Sequence, residues 1–167
     1  MDLEIVPCLI EQIEKLIEGG KAFHAAYGFG VADGYLPFEG ALQYSLTMMQ
    51  SSQVWHPWLP YWIGFHPERM LVGICGFKSV PDAQRTVEIG YSIAPSYQGK
   101  GFATAAARQL IAIAFSSTDA LVDCVCAHTL AERNASTRVL EKCGMRQVAE
   151  IIDPEDGKVW RWEVAKA

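Results

Sequence analysis

The chain has 167 residues, carries 14 Lys+Arg against 19 Asp+Glu for a net charge of −5, and is 50% apolar and 20% charged. These values fit one folded domain, 1–167, with a sizeable core. They argue against a general nucleic-acid binder, which needs a basic surface, and they suit an amine-bearing partner.

Leu3 to Val6 reads as a short strand, and Leu9, Ile10, Ile13, Leu16 and Ile17 recur at helical spacing until Gly19-Gly20 stops them. No basic segment followed by an apolar core precedes them, so a cytoplasmic protein without a signal peptide is expected. Lys21 to Gly34 has no firm period. Pro37 starts a second helix with Phe38, Leu42, Leu46 and Met49 on one face, and Ser51 to Pro60 is a loop carrying Trp55, His56 and Trp58. Tyr61 to Phe65 and Met70 to Phe77 flank His66-Pro67-Glu68-Arg69 as a hairpin, and Pro81-Asp82-Ala83-Gln84 is the next turn. Val87, Ile89, Tyr91 and Ile93 then alternate as a strand with one buried face, which Pro95 ends because it lacks an amide donor. An Ala-rich helix follows, Phe102 to about Phe115, too short to span a bilayer. Leu121 to His128 is β-like, Ala135 to Cys143 is a short helix closed by Gly144, and Arg146 to Ile152 pairs with Lys158 to Val164 across Pro154-Glu155-Asp156-Gly157. This order predicts an α/β (α+β) fold: a mixed sheet with helices on both faces. The five cysteines (Cys8, Cys75, Cys124, Cys126, Cys143) are odd in number and lack C-x-x-C spacing, so reduced thiols and no metal site are expected.

The most informative stretch is Gln98-Gly99-Lys100-Gly101-Phe102-Ala103, a glycine-bearing turn between a strand and a helix. Unpaired N–H groups at the positive end of a helix dipole bind phosphate well, and glycines let the backbone approach it. The stretch is neither G-x-x-x-x-G-K-[ST] nor G-x-G-x-x-G. It fits Q/R-x-x-G-x-G/A after a strand. Together with Val87-Glu88-Ile89-Gly90-Tyr91-Ser92-Ile93-Ala94-Pro95-Ser96-Tyr97 and Asn134-Ala135-Ser136-Thr137-Arg138-Val139-Leu140-Glu141-Lys142-Cys143-Gly144-Met145, it resembles the GNAT family of acetyl-CoA-dependent N-acetyltransferases. The resemblance runs from about Trp58 to Trp162 and is nearest to the ribosomal-protein N-terminal acetyltransferase-like branch.

The resemblance implies a mostly antiparallel central sheet with one splayed strand pair, acetyl-CoA as cosubstrate, and a primary amine as acceptor, on a small molecule or a protein N-terminus. It implies neither nucleic acid nor membrane as partner, and it allows a homodimer. Amides of Gly99, Lys100, Gly101, Phe102, Ala103 and Thr104, with Gln98 before them, would face the pyrophosphate. Tyr91, Ser92 and Ile93 would offer a backbone edge to the pantetheine arm, with an amide near Ile93 facing the thioester carbonyl. Asn134 and Ser136 would lie beside the arm; Asn134 also reads as an N-cap. Glu88, outward in phase, is the first choice of general base and His128 the second, with Asn134 completing the catalytic set. The Tyr that serves as general acid in some members is replaced by Leu140. Trp55, His56, Trp58, Tyr61 and Trp62 would wall the acceptor side or pack in the core, as would Trp160 and Trp162. A second reading is a noncatalytic acyl-CoA-binding module of the same fold.

Overall fold

The computed structural model describes residues 1–167. In chain order the elements are β1 (Leu3–Pro7), α1 (Ile10–Glu18), α2 (Gly20–Tyr27), β2 (Gly30–Val31), α3 (Ala41–Gln50), β3 (Pro60–Phe65), β4 (Met70–Phe77), β5 (Thr86–Ile93), α4 (Phe102–Ser116), β6 (Cys124–Leu130), α5 (Ala135–Lys142), β7 (Arg146–Asp153) and β8 (Gly157–Ala165). The strands form one sheet in the order β1-β3-β4-β5-β6-β8-β7, with β2 attached to β4. All pairs are antiparallel except β5–β6 and β2–β4.

Strand alternation sorts the layers. Trp62 of β3 meets Phe23 of α2 on one face, ring centroids 5.8 Å apart, while Phe65 meets Phe102 of α4 on the other at 5.0 Å. On β5, Val87 and Ile89 are buried beneath α4, whose Ala106, Ala107 and Leu110 are also buried. Glu88, Gly90 and Ser92 therefore face the α1–α3 side. No helix is long and apolar enough to cross a membrane.

Three expectations about elements require correction. Lys21 to Gly34 is not without order: only Gly19 breaks the chain, so α2 starts at Gly20, and β2 follows as a two-residue strand held by β4. The second helix begins at Ala41 rather than Pro37, because Gly40 takes φ 85°, outside the helical range; Phe38 lies before it, exposed. The strand expected at Leu121 to His128 runs from Cys124 to Leu130, since pairing starts only where Asp123 and Cys124 donate to Arg85 O. Leu121 stays exposed.

Candidate functional site

β5 and β6 pair over three residues only, Thr86↔Cys124, Val87↔Val125 and Glu88↔Cys126. Beyond Glu88 the two strands part, while β5 keeps its ladder with β4 to Ile93↔Gly73. Lys78 N donates to Glu88 O and Ala94 N to Val72 O, so even-numbered residues of β5 turn their amides toward β4. Alternation leaves Tyr91 and Ile93 with amides on the open side of the gap. Ser92 is thus corrected as a backbone contact: its register partner is Ile74 of β4.

The gap leads to the turn before α4. Gln98 N donates to Pro95 O, and the next N–H with a protein acceptor is that of Ala105, to Gly101 O. The N–H groups of Gly99, Lys100, Gly101, Phe102, Ala103 and Thr104 therefore have no partner in the protein. Gly99 and Gly101 adopt φ 74° and 82°, where any other residue is strained. An ideal Cβ at Gly99 meets nothing within 4 Å, and one at Gly101 meets only Met1 Cε at 3.5 Å, so conformation rather than space requires glycine there. Six unpartnered donors at the positive end of a 15-residue helix suit a diphosphate. Side chains of the stretch have other tasks. Gln98 Nε2 donates to Ile93 O at 3.0 Å, tying turn to strand, and Lys100 Nζ lies 5.0 Å from the Tyr97 ring centroid. Phe102 and Thr104 are buried, so only their backbones are available.

At the closed end of the gap, His128 Nδ1 lies 2.7 Å from Glu88 Oε1, each side chain about one-quarter exposed. Lys78 Nζ reaches the same oxygen at 3.0 Å. The two residues read from sequence as alternative bases are therefore in contact. Lys78 went unnoticed in the sequence, and only its place just beyond a strand paired with Glu88 could have flagged it.

Asn134 is the N-cap of α5: Oδ1 accepts from Thr137 N at 3.0 Å while Thr137 Oγ1 accepts from Asn134 N at 3.1 Å. Across the gap, Tyr91 Oη and Ser136 Oγ are hydrogen-bonded at 2.8 Å. Burial pushes the Tyr91 phenol up to about 12, the Ser136 bond acting in the opposite sense. Leu140 is fully buried.

The aromatic residues divide. Trp58, Tyr61, Trp62 and Trp162 are core residues, and Tyr61 Oη donates to Pro57 O. Trp55 is exposed, donating to Asp119 Oδ2 at 2.6 Å, and the Trp160 indole donates to Glu150. An acceptor wall built on Trp58, Tyr61 and Trp62 is thereby corrected: their rings fill the sheet's packing layers. A cavity of about 390 Å³ instead lies between α1 and residues 31–43, with Asp33, Tyr35, Leu36 and Glu39 in its lining. It adjoins the end of β5, where an ideal Cβ on Gly34 would stand 3.0 Å from Pro95 Cδ. No sequence period marks it.

A family model described as the acetyltransferase (GNAT) domain matches residues 27–146. The chain is similar to the Bacillus licheniformis N-acetyltransferase p20, itself uncharacterized, with 28% identity over 88 residues, 53% of this chain and 48% of that protein. It is also similar to YdaF of Bacillus subtilis (strain 168), whose name assigns it provisionally to ribosomal N-acetylation, with 34% identity over 83 residues, 50% of this chain and 44% of that protein. The chain thus spans about half the length of these curated relatives. Among solved structures, a chimera of the Vibrio cholerae spermidine N-acetyltransferase SpeG with hSSAT superposes with TM-score 0.69 at 16% identity, covering 99% of this chain and 96% of that one. A GNAT-family acetyltransferase from Bacillus anthracis gives TM-score 0.66 at 20% identity, covering 99% and 95%. At such identities the likeness is one of fold.

Proposed function

Because this chain belongs to the GNAT acetyltransferase family, we propose that residues 1–167 act as one domain that moves an acetyl group from acetyl-CoA to a primary amine, by direct transfer in a ternary complex. One observation carries the reading: a row of six unpartnered N–H groups opens onto a strand edge that ends at a carboxylate–imidazole contact. Gly99 to Thr104 hold the diphosphate through their amides. Tyr91 and Ile93 offer N–H donors to the pantetheine arm and the acyl carbonyl, with Asn134 and Ser136 flanking them. Acetyl-CoA supplies an acyl carbon already activated as a thioester.

The Glu88–His128 contact revises the choice of base. Glu88 Oε1 is already engaged by both Lys78 and His128. By accepting the Nδ1 proton it holds the imidazole in the tautomer with its lone pair on Nε2. His128 Nε2 takes the amine proton, and Glu88 is the positioning residue. A thiolate whose acid has a pKa of about 8.5 leaves without a proton donor. Burial raises the Cys8 thiol to about 12, lifts that of Cys75 well above its ordinary value, and takes Cys126 to about 11. Such thiols are poor nucleophiles, which supports direct transfer over an acyl-enzyme.

Two acceptor classes stay in view: protein N-termini, as the name of YdaF indicates for that protein, and small amines, as in the spermidine acetyltransferases of like fold. Steady-state CoA release across free-N-terminus peptides and small amines tests the reading, with amine-dependent release expected. Binding of acetyl-CoA without release for any amine would instead support the noncatalytic module, which Leu140, buried where some members carry the Tyr acid, favours.

A further inference from the structure

Lys78 follows the last residue of β4, and its N–H donates to Glu88 O at 2.9 Å, so its backbone is pinned opposite Glu88. The side chain then folds back over Gly90, where an ideal Cβ would stand 3.3 Å from Lys78 Cε. Gly90 pairs with Gly76, so at this level β4 and β5 present a floor without side chains, on which an unbranched methylene chain can lie. The chain ends with Nζ 3.0 Å from Glu88 Oε1, the oxygen that also meets His128 Nδ1 at 2.7 Å. The other lysine ion pairs differ in kind. Lys78 is exposed like Lys15 and Lys158, and the difference lies in the carboxylate: Glu88 is 25% exposed and shared with an imidazole, whereas Glu18 and Glu150 are 56% and 48% exposed and pair at 3.3 and 3.9 Å.

An aminoalkyl chain of this protein therefore lies at the closed end of the β5–β6 gap, with its nitrogen on the carboxylate oxygen that orients the base. We propose that Lys78 Nζ is a self-acetylation site, modified in cis by the chain's own acetyl-transfer centre. This inference rests on the acetyl-transfer reading. Lys78 gives one ammonium proton to water, and its nitrogen bonds to the acetyl carbon as the carbon–sulfur bond breaks. The remaining surplus proton passes to His128 Nε2 and on to the thiolate. The balance is acetyl-CoA and lysine ammonium to acetyl-lysine, CoA thiol and one proton. The product amide carries no charge and releases Glu88 from the ion pair.

The test is incubation of the purified protein with acetyl-CoA and no amine at several protein concentrations, followed by intact-mass and peptide-mass analysis. One acetyl group is expected, at Lys78 among the seven lysines of the chain. The fraction modified per unit time should be independent of protein concentration, at least about tenfold lower in His128→Gln and in Glu88→Gln, and zero in Lys78→Arg. Circular dichroism confirms that each variant is folded, and the two site variants check one another. Acetyl groups spread evenly over the lysines, a fraction modified per unit time that rises with protein concentration, or an unchanged rate in folded His128→Gln and Glu88→Gln would each overturn the proposal. CoA release on added amines is measured on the same preparation. Release without a mark on Lys78 overturns this inference alone; neither release nor mark overturns the acetyl-transfer reading with it.

Discussion

Glu88 Oε1 serves two donors at once, and that division of labour makes the base assignment testable residue by residue. If His128 is the base and Glu88 orients it, His128→Gln should lower turnover by about a hundredfold or more, the usual reach of general-base catalysis. Glu88→Gln should cost less than that, because a Gln carbonyl still accepts the Nδ1 proton. Initial rates of CoA release for both variants, from pH 6 to 9, decide it; a larger loss in Glu88→Gln would return the base role to the carboxylate. Leu140 belongs to the same scale. It is wholly buried, and its carbonyl accepts from Met145 N at 3.0 Å. Leu140→Tyr forces a larger side chain into a filled space, a cost of about 1–3 kcal/mol, with no gain in turnover because the thiolate leaves unaided. Urea unfolding and CoA release on the variant check both halves. A stable, faster protein would show that thiolate protonation limits the rate.

For the elements, the turn before α4 carries the clearest expectation. Gly101→Glu places a side chain at φ 82° and a negative charge at the helix start, opposing both the turn geometry and the diphosphate. Each effect is on the order of 1 kcal/mol, so acetyl-CoA affinity should fall by about tenfold or more by calorimetry. Unchanged affinity in a folded variant would remove the phosphate assignment. That turn was legible in the sequence because its determinants are local: two glycines, a strand stopped by Pro95, and an Ala-rich helix. The outward phase of Glu88 was legible for the same reason. Its contact with His128 was not, since it depends on the Glu88↔Cys126 register between strands about 40 positions apart. The two residues of β2 form a strand only because β4 extends past the end of β5 and offers them a partner. Nor does composition separate a Trp that fills a packing layer, such as Trp58, from one at the surface, such as Trp55.

Across the whole molecule, a core that encloses thiols and phenols in their neutral forms makes the fold sensitive to alkali. Burial raises Cys8 from 9.0 to about 12, and Tyr35, Tyr61 and Tyr91 each from 10.0 to about 12. Cys75 and Cys126 shift in the same direction. Above pH 9 the unfolded chain releases protons that the native chain retains, so the unfolded state binds fewer protons and stability falls as pH rises. Their contribution is fully present below the unfolded values of 9.0 and 10.0 and is lost progressively up to about 12. For Cys8 alone the loss between neutrality and pH 10 is about 1.4 kcal/mol, one unit of the difference between the two states. Urea midpoints under reducing conditions should therefore be level from pH 7 to 8 and decline from pH 9 to 11. Cys8→Ala should start lower at pH 7, because a buried side chain is truncated, and then decline less steeply. A midpoint that stays level to pH 11, or a Cys8→Ala slope equal to that of the parent, would mean that these groups ionise in the native protein as readily as in the unfolded one. The closed core assigned to Cys8 would then be open to water.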